Sequence, residues 1–242
     1  RQVRGAFGRY LSPVLVERLA RDPSKLALGG EMRPVTLMFM DIRGFTPISE
    51  QFDAHGLTGF LNRFLTEMTD AVLATGGTVD KYMGDAIMAF WNAPLDVPDH
   101  AARACAAALE MQRRAQAFDK KWTEERAAEN LKPVPVKIGI GLNTDICCVG
   151  NMGAQQRFDY SAIGDGVNLA SRLEGQSKPY GVKILVSEAT AEAAGPGHRF
   201  VELDLLHVKG KTRPVKVFTL LDGAPDAAFD GWRARHDRAI AA

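Results

Sequence analysis

The sequence holds little that would assign it to a specialised class. It has three cysteines in 242 residues, too few for a disulfide framework. Cys105, Cys147 and Cys148 also lack the paired spacing of a zinc site. Adjacent Cys147 and Cys148 in an apolar run are expected to be buried thiols of a reducing compartment. No apolar run approaches the roughly 18–20 residues needed to cross a bilayer, and no secretory leader is visible. Charge of neither sign dominates: 30 Lys and Arg offset 29 Asp and Glu, leaving a formal net charge of +1. That balance removes the electrostatic case for nucleic acid. The 46% apolar content suits one medium-sized domain with a small N-terminal extension. Because the chain opens on Arg1 rather than Met, it is expected to be part of a longer protein.

Residues 1–30 differ in character from the rest of the chain. Arg1 to Tyr10 is basic and aromatic, and Ser12-Pro13 is a helix-start signal. Val14, Leu15, Val16 and Leu19 predict a short amphipathic helix ending near Asp22-Pro23, and Gly29-Gly30 reads as a hinge. Residues 1–30 are therefore expected to be a connector, 31–224 the main domain, and 225–242 a polar tail with a little helical pattern.

The main domain shows a clear order of elements. Val35–Asp41 reads as a strand. Leu57–Ala74 carries apolar residues at helical spacing until Gly76-Gly77 stops it. Thr78–Tyr82 and Ala86–Trp91, joined by Met83-Gly84-Asp85, predict a hairpin. Asp99 is placed to cap a long helix containing Ala104, Ala107, Ala108 and Met111, and Val136–Leu142 is the next strand. The order β-α-β-β-α-β is the ferredoxin-like unit, an α+β class, here expected as a sheet with helices on one face. The C-terminal third adds a strand pair (Ile146–Met152, Gln156–Tyr160), a helix near Val167–Lys178, a strand at Lys183–Val186 and a short helix at Ser187–Ala194. A hairpin of Phe200–Val208 with Val215–Leu221 completes the domain.

This topology gives two carboxylates meaning. Asp41 ends the first strand and Asp85 precedes the third, and those strands are antiparallel neighbours in a ferredoxin-like sheet, so the pair meets at one rim. Carboxylates there are costly unless compensated. A hard divalent cation on oxygen ligands is the usual compensation, and Mg²⁺ typically takes one or two carboxylates plus substrate phosphates.

Other polar residues carry weaker signals. Asn168 and Arg172 share one helix face after Gly164-Asp165-Gly166. An amide beside a guanidinium suits a sugar oxygen and a phosphate, although a solvated polar face reads the same way. Lys81 and Asp159 supply a donor and an acceptor, which matches N1 and the N6 amino group of adenine and opposes guanine. A plain salt bridge for Asp159, or a pairing of Lys81 with Asp85, is the alternative. Lys137, Lys209 and Lys211 read on their own as surface charge. His55 and His100 read as water-exposed and unsuited to act as a base.

Three segments, Phe39 to Thr46, Asp80 to Asp85 and Phe158 to Glu174, together resemble the class III nucleotidyl cyclase catalytic domain, over about Val35 to Leu221. The resemblance implies metal binding by Asp41, Asp85 and the backbone carbonyl of Ile42, with two divalent cations, Mg²⁺ or Mn²⁺, per site. It implies adenine selection by Lys81 and Asp159, ribose orientation by Asn168, transition-state stabilisation by Arg172, and phosphate contacts by Lys209 and Lys137. It also implies a head-to-tail homodimer with shared sites, ATP as substrate, and 3′,5′-cyclic AMP and pyrophosphate as products. Residues 7–13 resemble the linker that joins such domains to upstream sensor and membrane domains, which implies a cytoplasmic domain of a membrane-anchored protein. Asp145, where relatives often carry Gly, is expected to be a left-handed turn variant. A guanylyl cyclase is the runner-up. A binding module without turnover would be expected to lack Asp41, Asp85 or Arg172, and a diguanylate cyclase would carry a Gly-Gly-Asp/Glu-Glu-Phe signature that is absent.

Overall fold

The computed structural model describes residues 28–207 and 214–240. The short helix expected from Pro13 to near Asp22 lies outside them. Strand β1 (Gly29–Ile42) leads through the short helix α1 (Phe45–Ser49) to α2 (Ala54–Ala74). The hairpin β2 (Thr78–Met83) and β3 (Ala86–Trp91) precedes the long helix α3 (His100–Ala128). Then come β4 (Ile138–Ala154), β5 (Arg157–Ile163), α4 (Asp165–Ser177), β6 (Ile184–Ser187) and α5 (Glu188–Ala194). Strands β7 (Arg199–Leu206) and β8 (Val215–Leu221) and helix α6 (Ala227–Ile240) complete the order. Among the described residues the sheet runs β2-β3-β1-β4-β6-β8-β7, with β5 paired to β4. The first four strands thus have the ferredoxin-like order, and β1 is antiparallel to β3 with Met40 opposite Ile87.

Strand alternation sorts the core onto two faces. Met38, Met40, Ile42, Ile138, Ile140 and Leu142 join Phe60, Phe64, Met68, Ala108, Met111 and Phe118 in the larger cluster. Helices α2 and α3 therefore pack on that face. In α2 the buried residues Phe60, Phe64, Met68 and Val72 recur every fourth position, the stripe an amphipathic helix presents to a core. Asp53 caps it, accepting from Gly56 N–H at 2.7 Å.

The other face is not bare, contrary to expectation. Leu169 and Leu173 of α4 pack with Leu185 and Val217, and Ala170 joins Val35, Leu37 and Phe90. Gly139 and Gly141 alternate with Ile138, Ile140 and Leu142 and let α4 lie against the strand. A Cβ on Gly141 would meet Glu174 N at 2.2 Å and Ala170 O at 2.4 Å.

Several local expectations change. Gly29-Gly30 is no hinge: both pair with β4, opposite Asn151 and Gly150, where a Cβ on Gly150 would strike Gly29 O at 2.1 Å. The two strands expected on either side of Asn143-Thr144-Asp145 are one. All three residues stay in the ladder with β1, so Asp145 is strand and makes no left-handed turn. Asp99 stands at the start of α3, but its side chain takes Arg103 Nε at 2.8 Å instead of capping. Cys147 is buried while Cys148 is partly exposed. The expected tail forms α6, anchored by buried Phe229 and by His236 Nε2 at 2.7 Å from Glu202 O. Among the described residues no helix is long and apolar enough to cross a membrane.

Candidate active site

The rim formed by the end of β1 and the β2–β3 turn concentrates negative charge. Gly44 (φ 67°) turns the chain out of β1, and Gly84 (φ 68°) makes the turn before Asp85. Both conformations are left-handed and suit glycine. They fix the backbone on the far side of each aspartate. Asp41 and Asp85 come together as the topology requires, close enough for the Asp41 carboxyl to raise the Asp85 pKa by hydrogen bonding and charge.

This contact needs a shared proton or a cation. Burial, then the hydrogen bond and charge of Asp41, push the Asp85 carboxyl up to about 7. The backbone N–H groups of Asp85 itself and of Ile42 oppose that rise. Asp85 Oδ2 is buried with no hydrogen-bond partner, an acceptor left over for something outside the chain. Among the described residues no group of three or more His, Cys, Asp or Glu is arranged to hold a metal. The donors gathered at this rim are therefore the two carboxylates of Asp41 and Asp85. That set suits a hard ion completed by phosphate and water, and suits a softer metal poorly.

Glu174 is a third carboxylate that sequence reasoning passed over. Burial, with Asp41 next, pushes its pKa up to about 7, while Arg43 opposes the rise and Asp85 adds to it. Arg43 is held in turn: its Nη2 donates to Ser177 Oγ at 3.1 Å and to the Val182 carbonyl, and its backbone N–H donates to Lys137 O at 2.8 Å. The signal was present in Gly139-Ile140-Gly141, because alternating glycines in a strand announce a close helix, and Glu174 is what that helix brings.

The remaining expected residues divide by face. Asn168 and Arg172 are exposed on α4, whereas Leu169 and Leu173 are buried and Glu174 is half-buried. With about 100° per residue, Arg172 lies roughly 200° around α4 from Glu174, on the opposite face of the helix. Asp159 is exposed on β5 and Lys137 is exposed before β4. Lys81 pairs with Asp80, at 3.3 Å from Oδ1, and not with Asp85. Lys209 and Lys211 lie outside the described residues. His55 is exposed. His100 is not: it is half-buried, its Nδ1 lies 2.7 Å from Thr36 Oγ1, and burial lowers its pKa.

Residues 30–222 match the family model described as adenylate and guanylate cyclase catalytic domain. The chain belongs to that family. Among its curated relatives is adenylate cyclase 1 of Rhizobium meliloti (strain 1021), 34% identical over 188 residues. The match covers 77% of this chain and 27% of that protein, so this cyclase chain corresponds to about a quarter of the relative's length. The crystal structure of the adenylyl cyclase CyaB from P. aeruginosa superposes with a TM-score of 0.74 at 37% identity, covering 82% of this chain and 99% of that one. The guanylyl cyclase Cya2 superposes with a TM-score of 0.72 at 32% identity, covering 83% and 97%. Cyclase domains of both base preferences thus share this fold.

Proposed function

We propose that this domain is an adenylyl cyclase, converting ATP to 3′,5′-cyclic AMP and pyrophosphate at sites shared between two copies of the chain. The observation that carries the reading is the Asp41–Asp85 carboxyl pair with its orphaned Asp85 Oδ2. Asp41, Asp85 and the Ile42 carbonyl would hold two divalent ions, Mg²⁺ or Mn²⁺. Such ions, when bound, acidify the ribose 3′-hydroxyl for in-line attack on the α-phosphorus and neutralise the triphosphate.

The protein's own part is positioning and charge. Lys81 donates to adenine N1 and Asp159 accepts from the N6 amino group. Asn168 orients the ribose, and Arg172 meets the charge that builds on the α-phosphoryl oxygens. Lys137 and Lys209 contact the phosphates. Arg172 lies on the face of α4 opposite Glu174, which supports a head-to-tail homodimer in which each site takes metal ligands from one copy and Arg172 from the other. No side-chain base is required: His100 is engaged by Thr36 and His55 is exposed.

Adenine is preferred to guanine on the chemistry of Lys81 and Asp159, and the relative named adenylate cyclase 1 supports it. The likeness to the guanylyl cyclase Cya2 makes GTP the reading to exclude. In the same proposal residues 1–30 couple the domain to an upstream sensor or membrane anchor, which would place the domain on the cytoplasmic side. The test is product formation from ATP and from GTP, in Mg²⁺ and in Mn²⁺, against protein concentration. Cyclic AMP should dominate, and the rate should curve upward with concentration. Preferential turnover of GTP would overturn the base assignment, and a strictly linear dependence down to nanomolar protein would count against shared sites.

A further inference from the structure

Strands β2 and β5 carry Lys81 and Asp159, yet they are not hydrogen-bonded neighbours: β2 is the sheet edge beyond β3, and β5 pairs with β4. The separation of the two side chains is therefore set by what lies between the strands. A side chain of β2 is hydrogen-bonded to β5. The ladder between β2 and β3 slips between Val79 and Lys81, so that Val79 faces Ala89 and Lys81 faces Met88. Asp80 is the extra residue of that bulge, a device that re-aims a side chain out of the regular alternation.

The re-aimed carboxylate is fully covered, with 0% side-chain exposure. Its Oδ2 accepts from Ser161 Oγ at 2.6 Å and from Ala162 N–H at 3.3 Å, both on β5. Its Oδ1 lies 3.3 Å from Lys81 Nζ. Ser161 is two residues from Asp159, so the two side chains project from the same side of β5. Burying a carboxylate is costly: Oδ2 is satisfied by β5, while Oδ1 has the Lys81 charge beside it but no hydrogen bond.

We propose that Asp80 is a positioning residue for base selection. It ties the Lys81 ammonium to the strand that carries Asp159 and so fixes the donor–acceptor spacing that reads adenine. The inference rests on the assignment of Lys81 and Asp159 as the base-reading pair. An ammonium has three donors and no acceptor. With its charge held 3.3 Å from Asp80 Oδ1, Lys81 is kept from swinging toward the guanine O6 acceptor. Without Asp80 the lysine is an untethered cation that serves either purine.

The test compares kcat/KM for ATP and GTP across variants of the whole chain. Asp80→Asn keeps the shape and the Ser161 contact but loses the ion pair, and should lower the ATP-over-GTP ratio about tenfold, chiefly through KM for ATP. Ser161→Ala should lower the ratio about threefold, the scale of one neutral hydrogen bond. Ser161→Thr, which retains the hydroxyl, should restore it. A purely structural role would depress ATP and GTP turnover together. An unchanged ratio in both Asp80→Asn and Ser161→Ala, whatever the loss of rate, overturns the proposal. Should Asp80→Asn fail to fold, the Ser161 pair decides the question alone. Preferential use of GTP by the wild-type enzyme would instead sink the adenine assignment, and the tether would still stand or fall on whether Asp80→Asn changes the ratio.

Discussion

Replacing Asp85 by Asn should make the metal-free protein more stable at alkaline pH while removing its response to divalent ions. The Asp85 carboxyl is pushed from an ordinary value of 3.8 to about 7. A folded-state pKa raised above the unfolded one means that the native state holds a proton the unfolded chain has released. Stability from this group is therefore fully present below about 4 and is lost as pH rises through about 7. The gap between the two values corresponds to about 4 kcal/mol for a fully desolvated group. Asp85 is half-buried, so solvent screening reduces this to about 1–2 kcal/mol. Asparagine is neutral at every pH and can still donate to Asp41, so the variant escapes that cost. Glu174, whose pKa is raised partly by Asp85, gains from the same neutralisation. In EDTA at pH 8.5 the variant should melt about 3–6 °C above wild type, with the advantage shrinking toward pH 5. Millimolar Mn²⁺ should raise the wild-type midpoint by ligand linkage and leave the variant unmoved. Circular-dichroism melts at the two pH values, with and without Mn²⁺, give all four numbers. A variant that melts at or below wild type at pH 8.5 in EDTA, or that Mn²⁺ protects equally, refutes the reasoning.

Mixing Asp41→Ala with Arg172→Ala chains should restore activity that neither has alone. Random pairing of a two-fold dimer makes half the dimers mixed, each with one whole site, so recovery should approach about a quarter of wild type. No recovery in verified heterodimers would remove the shared site. Gly141→Ala should cost about 1–3 kcal/mol in urea unfolding, because its Cβ would press on the α4 backbone at Glu174 and Ala170; a neutral result would mean that the helix is not seated there. Phe64→Ala deletes a fully buried ring stacked with Phe60 and edge-on to Phe118. It should cost about 3–5 kcal/mol, read from the same urea curves, without altering the ATP-over-GTP ratio.

How much was legible in the sequence depended on the range of the signal. The Phe60-Phe64-Met68 stripe and the Gly84 turn are local patterns, and both elements lie where periodicity and turn chemistry place them. The Asp41–Asp85 meeting was legible as well, because it follows from strand order alone. Long-range packing was hidden. Asn143-Thr144-Asp145 looks like a turn by composition, yet pairing with Val35, Thr36 and Leu37 overrides that preference. Gly29-Gly30 looks like a hinge until the close approach of Gly150 explains why no side chain fits. His100 is polar and comes after a loop, so nothing nearby announces its contact with Thr36. Asp80 escaped notice because a bulge has no period, and Glu174 because its partners arrive from the end of β1 and the β2–β3 turn.

The pairing of Gly29 and Gly30 has a mechanical consequence. From Gly29 to Ile42, β1 is held by an unbroken ladder of partners along β4, and Asp41 is its penultimate residue. A one-residue slip would turn every side chain of the strand to the wrong face, so the strand cannot slide like a piston. A torque applied where residues 1–28 join it has to be passed on as tilt or twist of a stiff rod, whose far end carries one of the two acids. Any stimulus arriving from that direction would act by changing the angle at which the acid is presented, with no loose joint between to absorb it.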